Sequence, residues 1–269
     1  MRAIPPSFDM DTVSAIDGRL DAIVAGGVAI TLAVESGSRA WGFASPDSDY
    51  DCRFLFVRPS HGYLTLWPKR DVIETPLDGL LDVSGWDVGK ALKLVVGGNA
   101  VAIEWLRSPV VYRAEAGFVQ RLTDFADTFA PLATVRHHYR HLAVRQLALP
   151  REKRAMKKIF YALRPAAALR WMRIHPGLLP PMHLPALIDG IDLAPAVRAE
   201  IDRLLEAKAQ TRELGEALMP QILADLIEHE IDATEQATAI ERPGALEAAD
   251  TLFREFVMTY AFDRRGFRP

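Results

Sequence analysis

Two aspartates with one residue between them, Asp49 and Asp51, open one apolar run, and a Gly-Ser pair, Gly37-Ser38, ends the apolar run before it. In an extended segment residues i and i+2 project to the same face, so both carboxylates would stand side by side. Two such anions repel unless a cation neutralises them. Hard divalent ions such as Mg²⁺ take carboxylate oxygens and keep positions for water and substrate phosphates. A pair of such ions can hold a triphosphate and activate an incoming hydroxyl. Gly37 lacks a Cβ and lets the backbone approach a phosphate, while Ser38 offers a hydroxyl and an amide at an expected helix start. The chemistry expected is phosphoryl transfer with Mg²⁺ or Mn²⁺ on Asp49 and Asp51. Taken singly, the acid pair also reads as a polar turn entering a strand and Gly-Ser as a helix cap; their conjunction is the more specific signal.

Competing motifs fail on particular residues. Asp47, Asp49 and Asp51 begin like a calcium loop, but Cys52 stands where that loop needs Gly and Arg58 where it needs Glu. No Walker A string, no Gly-x-Gly-x-x-Gly after a strand, no Cys-x-x-Cys and no His-Glu-x-x-His occurs. His137, His138 and His141 include an i, i+4 pair that suits a transition metal, yet no acid or Cys lies nearby in sequence, and a polar helix face is the simpler reading.

The elements that must position these residues follow from periodicity. Val13, Ile16, Leu20 and Ile23 predict an amphipathic helix over Asp9 to Ala25, stopped by Gly26-Gly27. Val28 to Val34 and Arg53 to Val57 are β-branched or aromatic runs expected as buried strands, and Asp71 to Glu74 a short edge strand. Leu80 to Trp86 alternates, with Leu81 and Val83 on one face and Asp82, Ser84 and Trp86 on the other. Asp87 then reads as the N-cap of a helix carrying Val88, Ala91, Leu92 and Val95, with Lys90 pairing back to it. Trp41 and Trp86 are expected to fill core or rim space, and Cys52 to be a small buried filler. From Glu115 onward the period is helical, so an α/β part over 1–113 and an all-helical part over 114–269 are expected.

Charge is unevenly spread. The chain has a formal net charge of -3, but Arg136 to Arg173 holds eleven Lys/Arg against one acid, Glu152. A cationic segment in an otherwise acidic chain suggests a local anionic ligand. Arg151 to Ile174 is expected as one basic helix kinked at Pro165, with Lys157, Tyr161 and Arg164 sharing a face and Lys158 beside them. These four could clamp a triphosphate or an RNA backbone, or form a solvated face; Arg39, after the Gly-Ser pair, could contact phosphate or pair with Asp47. The single cysteine, Cys52, fits a reducing compartment, and no apolar run approaches membrane-spanning length, so a cytoplasmic protein without a membrane partner is expected.

Gly37-Ser38 followed by Asp49-Tyr50-Asp51 resembles the signature of the DNA polymerase beta-like nucleotidyltransferase superfamily, and the longer string from Glu35 to Phe54 is similar to its RlaP branch, nucleotidyltransferases linked to RNA repair. Arg70 to Glu74, Asp82 to Leu92, Glu104 to Pro109 and Lys157 to Pro165 extend the resemblance over about residues 30 to 175. It implies an α+β fold with a mixed-sheet nucleotidyltransferase core, two metal-binding acids and a third acid on a later strand. Asp82 is the first choice for that acid and Asp87 the second. The expected reaction moves a nucleoside monophosphate from an NTP to a hydroxyl, an RNA end being one acceptor, with release of pyrophosphate. The alternative is a catalytically silent nucleotide- or RNA-binding regulator.

Overall fold

The computed structural model describes residues 1–148, 154–210, 216–234 and 242–261. Helix α1 (Met10–Ala25) leads into β1 (Ala29–Ser36), the short helix α2 (Gly37–Trp41) and β2 (Tyr50–Val57). Then come β3 (Val72–Glu74), β4 (Leu81–Asp87), α3 (Val88–Val96), α4 (Ala100–Trp105) and β5 (Val111–Ala114). Helices follow: α5 (Ala116–Phe129) and α6 (Leu132–Leu147), then, after β6 (Arg154–Ala155), α7 (Met156–Ile174), α8 (Leu184–Asp189) and α9 (Pro195–Gln210). After β7 (Glu216–Ala217) come α10 (Gln221–Thr234) and α11 (Ala245–Tyr260). The five-stranded sheet has the order β3-β4-β2-β1-β5, with β2 parallel to β4 and the other pairs antiparallel. This is the expected α+β architecture with a mixed sheet, flanking helices and helices in the C-terminal half. One small addition is the β6–β7 ladder inside the helical half. Of the basic helix expected from Arg151, the part from Met156 is α7, which runs through Pro165; Arg151 itself lies outside the described residues.

Period-two alternation divides the core. Cys52, Phe54 and Phe56 of β2 and Val83 of β4 pack with Val13, Ile16 and Leu20 of α1 on one side of the sheet. Leu55 and Val57 of β2 and Leu32 and Val34 of β1 face the other side, where they join buried residues of α3 to α7 and of α11. That second cluster is continuous from Leu32 to Phe256, so the apolar core runs across the point where the sheet ends in the chain. Each fully buried large aliphatic or aromatic side chain contributes roughly 1.5–3 kcal/mol, enough collectively to hold the helices on the sheet. Asp9 caps α1 through its carboxylate and the Thr12 N–H, as Asp87 caps α3 through the Gly89 N–H.

Alternation also decides where chemistry can sit. Asp51 and Arg53 continue the Leu55 and Val57 face at the N-terminal end of β2. They lie on the side of the sheet that the helical half covers. No described helix is long and apolar enough to cross a membrane.

Candidate active site

Parallel pairing puts Asp51 of β2 directly opposite Asp82 of β4. Both aspartates reach the same guanidinium: Arg53 Nη2 donates to Asp51 Oδ1 at 2.9 Å and to Asp82 Oδ2 at 2.7 Å. Burial drives the Asp51 carboxyl up from the usual aspartate range; Arg53 opposes the rise, and the charges of Asp82 and Asp49 add to it. Lys157 of α7 is close enough to lower it as well. Asp49 lies just before β2 and is exposed.

Gly37 is favoured here by its backbone conformation and lies against the Asp51 side chain. Its φ of +66° lies in the left-handed region, and a Cβ at this position would come within 2.2 Å of Asp51 Oδ2. The turn from β1 into α2 therefore lies directly against the Asp51 carboxylate, with Ser38 buried as the next residue. Arg39 braces the loop on the other side. Its Nη2 donates to the Ser48 carbonyl at 2.6 Å and its Nε to the Asp49 carbonyl at 3.1 Å, and its guanidinium lies 3.9 Å from the Tyr50 ring centroid. These contacts fix the approach to Asp49 and Asp51, so phosphate contact is not needed to explain Arg39.

The helical half reaches this turn through aromatic packing. Tyr161 of α7 meets the Trp41 ring edge-on at 5.4 Å, and Phe160 stacks on Phe43 at 5.0 Å. Lys157 Nζ lies 5.9 Å from the Tyr161 ring. Arg164 departs from the clamp reading. It is buried, its Nη1 donates to Glu104 Oε1 at 2.7 Å, and its guanidinium stacks 4.3 Å from Trp41. Tyr139 and Trp41 also donate to Glu104, so one buried carboxylate ties α2, α4, α6 and α7 together. Lys158 is exposed, one residue and about 100° round the helix from Lys157. Of the four residues assigned to the basic face, Lys157 acts on the Asp51 carboxyl, while Tyr161 and Arg164 pack against Trp41 of α2.

Asp87 does not join them. It ends β4, five residues and about 16 Å of strand beyond Asp82. There it caps α3, accepts from the Tyr63 hydroxyl at 3.1 Å and pairs with Arg58 at 3.3 Å. Lys90 pairs with Asp71 at 3.2 Å, which corrects the expected Asp87 pairing. Trp86 stacks on Trp105 at 3.8 Å, as core filling requires. The three histidines line a groove of about 370 Å³ with Lys93, Asn99 and Thr134, and no carboxylate among the described residues lines it.

Glu35 is a site residue that sequence reasoning missed. Its side chain is fully buried, and it accepts the Asp51 backbone N–H at 2.8 Å and the Tyr112 hydroxyl at 2.5 Å. Burial pushes its carboxyl up to about 8 against those two hydrogen bonds. The signal available was an acid ending a buried strand next to Gly37.

Among the described residues no group of three His, Cys, Asp or Glu side chains is arranged to hold a metal ion. The Asp51–Asp82 pair nevertheless suits Mg²⁺ or Mn²⁺. It offers hard oxygen donors facing each other, already requires a cation between them, and needs only one or two carboxylates when substrate phosphates complete the shell.

The family model for RlaP, the RNA repair pathway DNA polymerase beta family, matches residues 13–255. The chain is 40% identical over 214 residues to the Bacillus subtilis (strain 168) protein titled "Uncharacterized protein YcgL", covering 78% of this chain and 82% of that one. No solved structure matches. A family match over nearly the whole length, together with the 40% identical relative, assigns the chain to RlaP, the RNA repair pathway DNA polymerase beta family.

Proposed function

We propose that the chain is a metal-dependent nucleotidyltransferase that moves a nucleoside monophosphate from an NTP to a hydroxyl, with an RNA end as the acceptor. The carrying observation is the Asp51–Asp82 pair facing across β2 and β4, with the Gly37 backbone against Asp51. Asp51 and Asp82 would hold Mg²⁺ or Mn²⁺, with Asp49 alongside. The bound ion supplies charge neutralisation for the triphosphate and for the leaving pyrophosphate. Gly37 and Ser38 bring backbone close to the phosphates, and Lys157 adds a cation from the helical side. Asp82, its side chain 42% exposed against 27% for Asp51, meets the acceptor hydroxyl and takes its proton. The acceptor oxygen bonds to the α-phosphorus, the bond from that phosphorus to the bridging oxygen breaks, and pyrophosphate leaves. Glu35 holds the Asp51 backbone, and Arg39 holds the loop before it.

A catalytically silent nucleotide- or RNA-binding regulator is favoured by one observation: Arg53 already neutralises the pair. Incubation with each α-labelled NTP, Mg²⁺ or Mn²⁺, and pooled RNA separates the two readings. Transfer of label to RNA, lost in Asp49→Ala and Asp51→Ala, supports the enzyme. Nucleotide binding without transfer under every combination supports the regulator.

A further inference from the structure

Arg53 stands two residues after Asp51 on β2, so the two side chains share a face. Its Nη1 donates to the carbonyls of Asp82 at 3.0 Å and Cys52 at 3.2 Å, which anchors the guanidinium over the β2–β4 seam. Its Nη2 reaches both carboxylates, at 2.9 and 2.7 Å. A single nitrogen thus lies between Asp51 and Asp82, where an ion bridging the pair would lie. The side chain is largely buried, 17% exposed, so it is not a casual surface partner.

We infer that Arg53 is a built-in counter-cation, and that a divalent metal binds the Asp51–Asp82 pair by exchange, displacing the Arg53 guanidinium from both carboxylates. This rests on the nucleotidyl-transfer reading of the same site. Charge requires some such device. Two carboxylates on facing strands repel, and without a metal the fold needs a cation to hold them together. The exchange has a cost for the metal, which must break two charge-assisted hydrogen bonds before its own bonds form. The released guanidinium is then a cation at the metal's edge with no carboxylate partner. A triphosphate is the anion the site is built to receive, and it offers that guanidinium a fork of oxygens. Metal and nucleotide therefore favour each other's binding through Arg53, and the coupling is reciprocal.

Mn²⁺ titration of the full-length chain without nucleotide, followed by the electron paramagnetic resonance of free Mn²⁺, tests the exchange independently of activity. Arg53→Gln removes the charge between the carboxylates. Lys157→Gln removes a charge that acts on Asp51 from α7 rather than from β2, and Asp51→Asn reports whether the ion sits at the pair. Melting curves establish that each variant folds. The expected result is Asp51-dependent Mn²⁺ binding about tenfold tighter in Arg53→Gln than in the wild type, and distinctly tighter than in Lys157→Gln. Binding in Arg53→Gln but none in the wild type gives the same conclusion. Equal or weaker binding in Arg53→Gln, or an equal gain in Lys157→Gln, overturns the exchange and leaves the nucleotidyl-transfer reading standing. Absence of Asp51-dependent binding in every variant overturns the exchange, and the labelled-NTP assay then decides the nucleotidyl-transfer reading by itself.

Discussion

Glu35→Gln separates what the buried carboxyl does from what its shape does. Glu35 is fully buried beneath the Asp51 backbone, between Tyr112 and the Asp51 N–H. Burial raises it from 4.5 to about 8; the Asp51 charge adds to the rise and Arg39 opposes it. The folded value lies above the unfolded one, so between pH 4.5 and 8 the native chain keeps a proton that the unfolded chain gives up. The stability is therefore fully present below pH 4.5 and is lost as pH rises through 8. At ~1.4 kcal/mol per pH unit, the loss approaches roughly 5 kcal/mol across the window. A glutamine keeps the size, its Oε1 accepting the Asp51 N–H and its Nε2 donating to the Tyr112 oxygen, and it never ionises. Urea unfolding of both proteins at pH 5, 6, 7 and 8, followed by circular dichroism, should show the stability difference growing in favour of Glu35→Gln with each step, by about 1 kcal/mol per pH unit. Parallel profiles would refute a neutral buried Glu35.

Other substitutions probe other parts of the arrangement. Gly37→Ala places a Cβ against Asp51 Oδ2 at a left-handed φ, so it should cost about 1–3 kcal/mol in melting experiments and weaken Mn²⁺ binding; unchanged metal binding would sever the turn from the site. Removing Arg164 with methionine leaves Glu104 buried among Tyr139 and Trp41 with its cation gone, a loss of about 3–5 kcal/mol by denaturant titration. A loss below about 1 kcal/mol would mean that Arg164 is not buried with Glu104 as described. Asp87→Ala should lower stability by about 1–2 kcal/mol through the lost cap and leave Mn²⁺ affinity unchanged; a weakened metal site would restore Asp87 as a ligand.

The strands and first helices were legible because their patterning is local. Alternation alone set Asp82 and Trp86 on one face and Val83 on the other, and Asp87 announced itself as a cap. The Asp51–Asp82 juxtaposition was reachable from the family resemblance, since parallel pairing of β2 with β4 is a long-range fact that periodicity does not contain. Arg164 was misread for a related reason. In a segment crowded with Lys and Arg it looks like surface charge, and the carboxylate that draws it inward lies sixty residues earlier. Glu35 reads as the polar end of a strand; only the fold shows it turned under Asp51 with Tyr112 closing it off. Arg53 reads as one more strand residue until its register with Asp82 places its guanidinium between two acids.

The central claim is that the Asp51–Asp82 pair supports nucleotidyl transfer. The most direct measurement is pyrophosphate release matched to nucleotide incorporation into RNA ends, in the wild type and in Asp51→Asn and Asp82→Asn proteins that melt cooperatively. The account predicts equal pyrophosphate and incorporated nucleotide from the wild type and loss of both in either variant. Incorporation that survives in Asp51→Asn or Asp82→Asn would contradict it.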